Sequence, residues 1–289
     1  MLNSPRIRLF AGAILISFSP VFVRLVDVAP TASAFYRVFI GGGILAAYLV
    51  ITRTRPGLSR TAWIALIGAA IFFSLDLWFW HRSILYIGPG LSTLLANMQV
   101  FFMIAAGAFV LRQRPNTLEI FAATLAVVGI AMITGPQWGG SSAAYRLGVG
   151  LGILTAISYA GYMLALRRAR LQSSHPVPVP EVAVVSLITA AMLGLAAVIE
   201  GTSLSIPTPT DGGWLLAYGV ASHAVGWLLI AGSLTRVSTT VTGIALLFQP
   251  SLSFLWDILF FARPVTVLEG LGATIALTAI FIGTVRRDV

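Results

Sequence analysis

Cysteine is absent from this 289-residue chain, and so is lysine. The first absence excludes a disulfide frame, a thiolate metal site and a cysteine nucleophile. The second leaves all 18 basic residues as arginine. Charge of either sign is scarce: 9% of residues are charged, where a soluble domain carries roughly 25%. A soluble protein of this size clothes its surface with charge, and this chain cannot. An ordinary cytosolic enzyme and a disordered polymer are excluded together. Also missing are an HExxH helix, an aspartate-rich magnesium motif, Gly-x-Ser-x-Gly and a glycine-rich phosphate loop. A nucleotide-driven pump is therefore excluded, an intramembrane enzyme is the rival class without its motifs, and the chain is not expected to be an enzyme. The histidines, His81, His175 and His223, stand far apart with no metal-ligand spacing around them. No cofactor and no metal are expected. Nothing resembles an acidic ring or a filter sequence of a channel.

What the chain does have is apolar sequence, 58% of its residues. A helix needs about 20 apolar residues to cross the hydrocarbon core of a bilayer. Cut at arginines, prolines and polar clusters, the apolar runs fall near 7–26, 30–51, 61–81, 89–111 and 116–135. A second set falls near 147–166, 181–200, 213–233, 239–261 and 266–285. The fold class expected is an all-α polytopic membrane protein with ten transmembrane helices. Arg6 and Arg8 before the first run, with Ala32-Ser33-Ala34 after it, have the outline of a signal peptide. Arg24 and Asp27 interrupt that outline, and the segment is taken as the first span. The Pro-rich stretch His175–Pro180 is expected to be a stiff connector.

The net charge of +9 does not point to nucleic acid, because the arginines lie between apolar runs and form no basic face. They set orientation instead. The termini and the loops after even-numbered spans hold 13 arginines, among them Arg53, Arg55, Arg60, Arg112, Arg167, Arg168 and Arg170. The opposite loops hold at most four: Arg24, Arg82, Arg146 and Arg263. Both termini are expected in the cytoplasm, with the chain in the cell inner (plasma) membrane.

An internal repeat lies at an offset of 150 residues, with Leu118/Leu268, Glu119/Glu269, Ala123/Ala273 and Thr134/Thr284 among seven identities in 17 positions. The same offset pairs Gln99 with Gln249, and Arg114-Pro115 matches Arg263-Pro264 after a one-residue slip. Duplicating five spans, an odd number, turns the second copy upside down in the membrane. Domains at 1–140 and 141–289 are expected as an inverted 5+5 repeat around a central cavity, an architecture of secondary transporters.

In these features the chain resembles the EamA branch of the drug/metabolite transporter superfamily. Each half carries an Arg-Pro before a Glu that opens its fifth helix, and Pro30 precedes Arg37 by seven positions in the second span. Within the branch it is similar to amino-acid exporters of the YddG type. The matching residues are Ser74-Leu75-Asp76, Tyr159-Ala160-Gly161-Tyr162 and Phe248-Gln249-Pro250. It departs from them at Gln99-Val100, where those exporters carry Trp before Pro. The resemblance implies export of small amphipathic metabolites, foremost neutral or aromatic amino acids, by alternating access. The alternative is efflux of cationic drugs.

Polar residues inside spans are costly unless they face a cavity or a partner. Thr242, Gln249, Ser253 and Trp256 share one helical face, as do Ser92, Gln99 and Met103. Thr155, Tyr159 and Tyr162 stack in the sixth span, and His223 aligns with Trp227 in the eighth. Asp76 is an acid at mid-span with Trp80 one turn on, suited to an ammonium or a transported proton. Its plain alternative is an ion pair with Arg37, Arg82 or Arg24. Arg37 can take a carboxylate bidentately or only staple helices. The expected solute site is Arg37, Asp76, Trp78, Trp80, Gln99, Tyr159, Tyr162, His223, Trp227 and Gln249. Asp76 and His223 are the candidates for proton coupling. Membrane lipid and a small-molecule substrate are the expected partners. Asp257, Glu119 and Glu269 are expected to be structural.

Overall fold

The computed structural model describes residues 4–55, 57–109, 112, 116–134, 142–246, 248–262 and 265–285. Among these residues every regular element is a helix. Arg114-Pro115, Arg263-Pro264, Arg286 and Arg287 lie outside the described residues, as does the side chain of Glu119.

Breaks in the apolar runs occur where the residues demand them. The first run folds as α1 (Pro5–Ser17) and α2 (Ser19–Leu25), parted at Phe18, because Pro20 cannot continue the ladder of the preceding turn. Next come α3 (Pro30–Ile51), opened by a proline whose missing N–H costs nothing there, and α4 (Arg60–Ala96). The latter is two arms joined at Gly88, which takes φ 78° and ψ 163°, a conformation open to glycine alone. A turn at Asn97 and Met98 leads to α5 (Gln99–Phe109), followed by α6 (Thr117–Thr134) and α7 (Ala143–Leu171). In the second half α8 (Val179–Glu200) precedes α9 (Pro209–Ala217), a π-helical segment (Tyr218–Val225) and α10 (Gly226–Ala231). Then come α11 (Thr239–Leu246), α12 (Phe248–Phe261) and α13 (Val267–Val285). Glu269 and Thr266 cap α13 reciprocally, the Thr266 N–H donating to Glu269 at 2.9 Å and the Glu269 N–H to Thr266 at 3.2 Å. That is the structural role expected of this carboxylate.

Seven helical stretches are long and apolar enough to cross a membrane: 5–25, 30–51, 60–88, 143–171, 179–200, 209–231 and 241–261. Gln99–Phe109, Ile120–Gly129 and Val267–Ala276 are shorter apolar helices. Large apolar side chains such as Phe109, Ile199 and Val267 point outward with most of their surface bare. Such a surface belongs against lipid, not water. The protein is a multi-pass membrane protein.

The third and sixth runs are longer than the sequence alone predicts, each forming a helical stretch of 29 residues, or about 43 Å at 1.5 Å per residue. The expected boundary at His81 fails because the ring turns inward. His81 is buried, with Nδ1 2.8 Å from the Leu77 carbonyl, so it interrupts nothing.

Helices pack in pairs: α4 along α7, α3 along α8, α6 along α13, α5 against α11, and α1 against α10 and the π-helical segment. Small residues set the closest approaches. A Cβ on Gly41 would stand 2.5 Å from the His223 ring and 2.7 Å from the Gly219 carbonyl. One on Gly148 would meet Tyr86 at 2.6 Å, and one on Gly152 would meet Leu95 at 2.9 Å. The main core runs between the halves, with Phe73, Tyr162 and Trp227 among its largest fully buried side chains.

Candidate solute site

At the centre of the bundle a cavity of about 50 Å³ is lined from both halves of the chain. α3 and α4 contribute Arg37, Phe73, Asp76 and Trp80; Tyr159, Trp227, Gln249 and Ser253 come from α7, α10 and α12. Such a volume holds a water or two, whereas solute sites occupy roughly 300–1,000 Å³. With the side chains as they stand, the site is contracted.

The two ionisable side chains of the cavity form no direct ion pair. Arg37 is 4% exposed and Asp76 7%, yet no nitrogen of the one lies within 4.0 Å of an oxygen of the other. Arg37 Nη1 donates instead to the Tyr218 hydroxyl at 3.2 Å. Its guanidinium carbon lies 5.1 Å from the Tyr218 ring centre and 5.9 Å from that of Phe73. Cation–π contact of this kind supports a buried cation without discharging it. Its Nε is buried with no partner. Neither of the other arginines weighed as a partner for Asp76 reaches it. Arg24 pairs with Asp257 at 2.8 Å and Arg82 with Glu200 at 2.6 Å. Among the described residues nothing hydrogen-bonds to or ion-pairs with Asp76. Both charges are thus left able to meet a solute. Unpaired buried charge is expensive, and a site that binds the opposite charge is one reason to retain it.

Tyr159 and Gln249 extend the polar wall: the Gln249 amide donates to the Tyr159 hydroxyl at 3.1 Å. Trp227 stands edge-on to Tyr159, ring centres 6.1 Å apart at 87°. Trp80 also lines the cavity, its ring 4.9 Å from that of His81 and perpendicular to it.

Of the ten residues expected at the site, six line this cavity: Arg37, Asp76, Trp80, Tyr159, Trp227 and Gln249. The other four stand elsewhere. Tyr162 lies one layer behind, stacked on Phe73 at 4.2 Å and 12°. His223 is fully buried between helices, with Nε2 2.6 Å from the Ser186 hydroxyl. Gln99 is sealed between α5 and α11, where its Nε2 donates to the Gly243 carbonyl at 3.3 Å. Trp78 turns to a peripheral cluster, its indole N–H donating to Glu200 at 2.7 Å beneath the Arg82 guanidinium. The physical reason is common to all four. Sequence spacing places a residue on a face but does not say which neighbour that face meets.

The cavity also holds residues that face-counting passed over. Asn97 and Thr93 line it from the break between α4 and α5. The Asn97 amide nitrogen donates to the Thr93 carbonyl at 2.8 Å, and its oxygen is buried without a partner. A lone Asn inside a long apolar run was the available signal. Ser19 and Pro20 reach the cavity from the break in the first run. The partner of Arg37, Tyr218, sits at the start of the π-helical segment, a local geometry that often marks functional positions.

Among the described residues no cluster of three His, Asp or Glu side chains could hold a metal ion. Bundled apolar helices around a small two-signed cavity are the build of a membrane transporter. The chain belongs to the EamA-like transporter family, which matches it twice, over residues 6–135 and 146–285. A solved crystal structure titled only as that of a protein has the same fold. It superposes with a TM-score of 0.78 over 98% of this chain and 96% of its own, at 17% identity. No protein of curated function matches the sequence.

Proposed function

We propose that the protein is a secondary transporter that exports small zwitterionic metabolites, foremost neutral or aromatic amino acids, by alternating access. The observation that carries this reading is the pair Arg37 and Asp76, of opposite sign, on one small cavity and not bound to each other. A zwitterion supplies the counter-charge each lacks, and charge-assisted hydrogen bonds of this kind are the strong ones. Trp80, Tyr159 and Trp227 offer ring surface to an apolar side chain. A lipophilic cation pairs with Asp76 alone and leaves Arg37 without a counter-charge.

The working architecture is ten spans in two inverted halves, 1–140 and 141–289, with both termini cytoplasmic in the inner membrane. The helix pairing supports it. Number the apolar segments one to ten along the chain and exchange each with the one five places on. The principal packing pairs, three with six, two with seven, five with ten, four with nine and one with eight, then map onto one another or themselves. Two successive matches to one family model point the same way. Rocking of one half against the other would open the contracted cavity to either side. Asp76 is the cavity carboxyl through which a proton gradient would act; His223, hydrogen-bonded to Ser186 away from the cavity, is the less direct candidate.

The test is uptake of a radiolabelled amino-acid panel and of lipophilic cations into proteoliposomes, with and without a pH gradient. Amino-acid flux is expected; cation flux with no amino-acid flux would replace this reading by drug efflux. Labelling of single cysteines introduced into this cysteine-free chain tests the topology, and external reactivity at residue 4 or 288 would refute it.

A further inference from the structure

A second concavity lies on the outside of the bundle, facing where the bilayer would be. It is a groove of about 450 Å³ between α4, α5 and α7, with walls from Phe72, Ala106, Gly161, Leu164 and Ala165. Small residues create it. Gly161 and Ala165 lie one turn apart on α7, and the Phe72 ring rests so closely on Gly161 that a Cβ there would stand 2.7 Å away. Among the described residues no side chain fills this space. In a bilayer a dry apolar groove open to lipid is filled by an acyl chain, because an empty one forfeits the packing contacts of its walls.

One end of the groove is basic: Arg167 and Arg168 border it six and seven residues beyond Gly161, roughly 10 Å along the helix. The arginines at this end of α7 have separate fates. Arg167 donates through Nη1 to the carbonyls of Leu234 at 2.5 Å and Val237 at 2.6 Å. Arg170 is buried against Glu181 at 2.7 Å. Arg168 is exposed, and among the described residues nothing hydrogen-bonds to or ion-pairs with it. Among the described residues no acidic side chain borders the groove. Positive charge here also opposes the negative end of the α7 dipole, which alone explains an arginine but not the groove beneath it.

We infer that this groove is a binding site for one anionic phospholipid, its acyl chain lying against Gly161 and Ala165 and its phosphate on Arg168. Basic pockets at the ends of membrane helices recognise lipid head groups in this manner. The site needs only that the helices stand in a membrane and is independent of the solute transported.

Native mass spectrometry of the whole protein in detergent tests it, with phosphatidylglycerol and phosphatidylcholine of identical chains added in equal amounts. The wild type is expected to retain phosphatidylglycerol about five- to tenfold better than phosphatidylcholine. Arg168→Gln should bring that ratio near one, Arg168→Lys should keep most of it, and Arg60→Gln, an exposed arginine off the groove, should leave it unchanged. Ala165→Trp fills the groove and should weaken retention of both lipids. Should that variant fold poorly, Ala106→Phe probes the opposite wall. Glycerol 3-phosphate in tenfold excess should not displace the lipid, since the head group alone lacks the chain contact. An unchanged lipid ratio in Arg168→Gln, an equal drop in Arg60→Gln, or displacement by glycerol 3-phosphate would overturn the proposal.

Discussion

The two halves of the chain match the same family, yet they bring different chemistry to the cavity between them. The first half supplies both charges, Arg37 and Asp76, with Trp80, Asn97 and Thr93. The second supplies Tyr159, Trp227, Gln249 and Ser253, all uncharged. Where the first half has Arg37 in its second run, the corresponding run of the second half has Ser186 and Glu181, tied to His223 and Arg170 away from the cavity. The repeat thus shares a scaffold and not a site. If the halves rock against each other, the charged groups of a solute stay with one half while the rings and amides of the other make and break contact.

The largest expected effect comes from breaking the charged side of this comparison. Asp76→Asn and Arg37→Gln should each lower initial rates of amino-acid transport by about 10- to 100-fold, since each removes a charge-assisted bond of roughly 1.5–3 kcal/mol. Uptake at matched protein content, with folding checked by size exclusion, measures it. On the uncharged side Gln249→Leu should cost only about three- to tenfold, as for one neutral hydrogen bond near 1 kcal/mol. Equal losses on both sides would mean that the halves share the work.

A second contrast tests how the halves are held together. Gly41→Ala drives a methyl into His223 and the Gly219 carbonyl, and should destabilise the fold by about 1–3 kcal/mol. Gly43→Ala, two residues away, meets nothing within 4 Å and should stay within about 0.5 kcal/mol. Thermal unfolding in detergent separates the two. The smallest effect belongs to Gln99→Leu. Its amide is sealed against Gly243, so solute affinity should change less than about twofold although a hydrogen bond worth about 1 kcal/mol of stability is lost.

Much of the fold was legible in the sequence, because apolar runs cut by arginine and proline are a direct record of what lipid tolerates. The runs become helices near their expected places, and the breaks at Pro20 and Gly88 fall where backbone chemistry demands them. Asp257, expected to be structural, pairs with Arg24. The site was less legible. Arg37 and Asp76 could be singled out because charge in an apolar run is conspicuous. Gln99 and Gln249 look alike in sequence, and only the packing of α5 on α11 separates the buried staple from the cavity wall. Trp78 and Trp80 lie on one helix only two residues apart, and rotation alone sends one to Glu200 and the other to the cavity. The π-helical segment, which carries both Tyr218 and His223, has no simple sequence pattern to announce it.

The most direct measurement is transport of three molecules that share one ring: phenylalanine, phenethylamine, which lacks the carboxylate, and 3-phenylpropionate, which lacks the ammonium. The two-charge account predicts that phenylalanine is carried at least tenfold faster than either analogue. It also predicts that Arg37→Gln narrows the gap to phenethylamine, while Asp76→Asn narrows the gap to 3-phenylpropionate. Phenethylamine carried as fast as phenylalanine by the wild type, with Arg37→Gln making no difference, would contradict it.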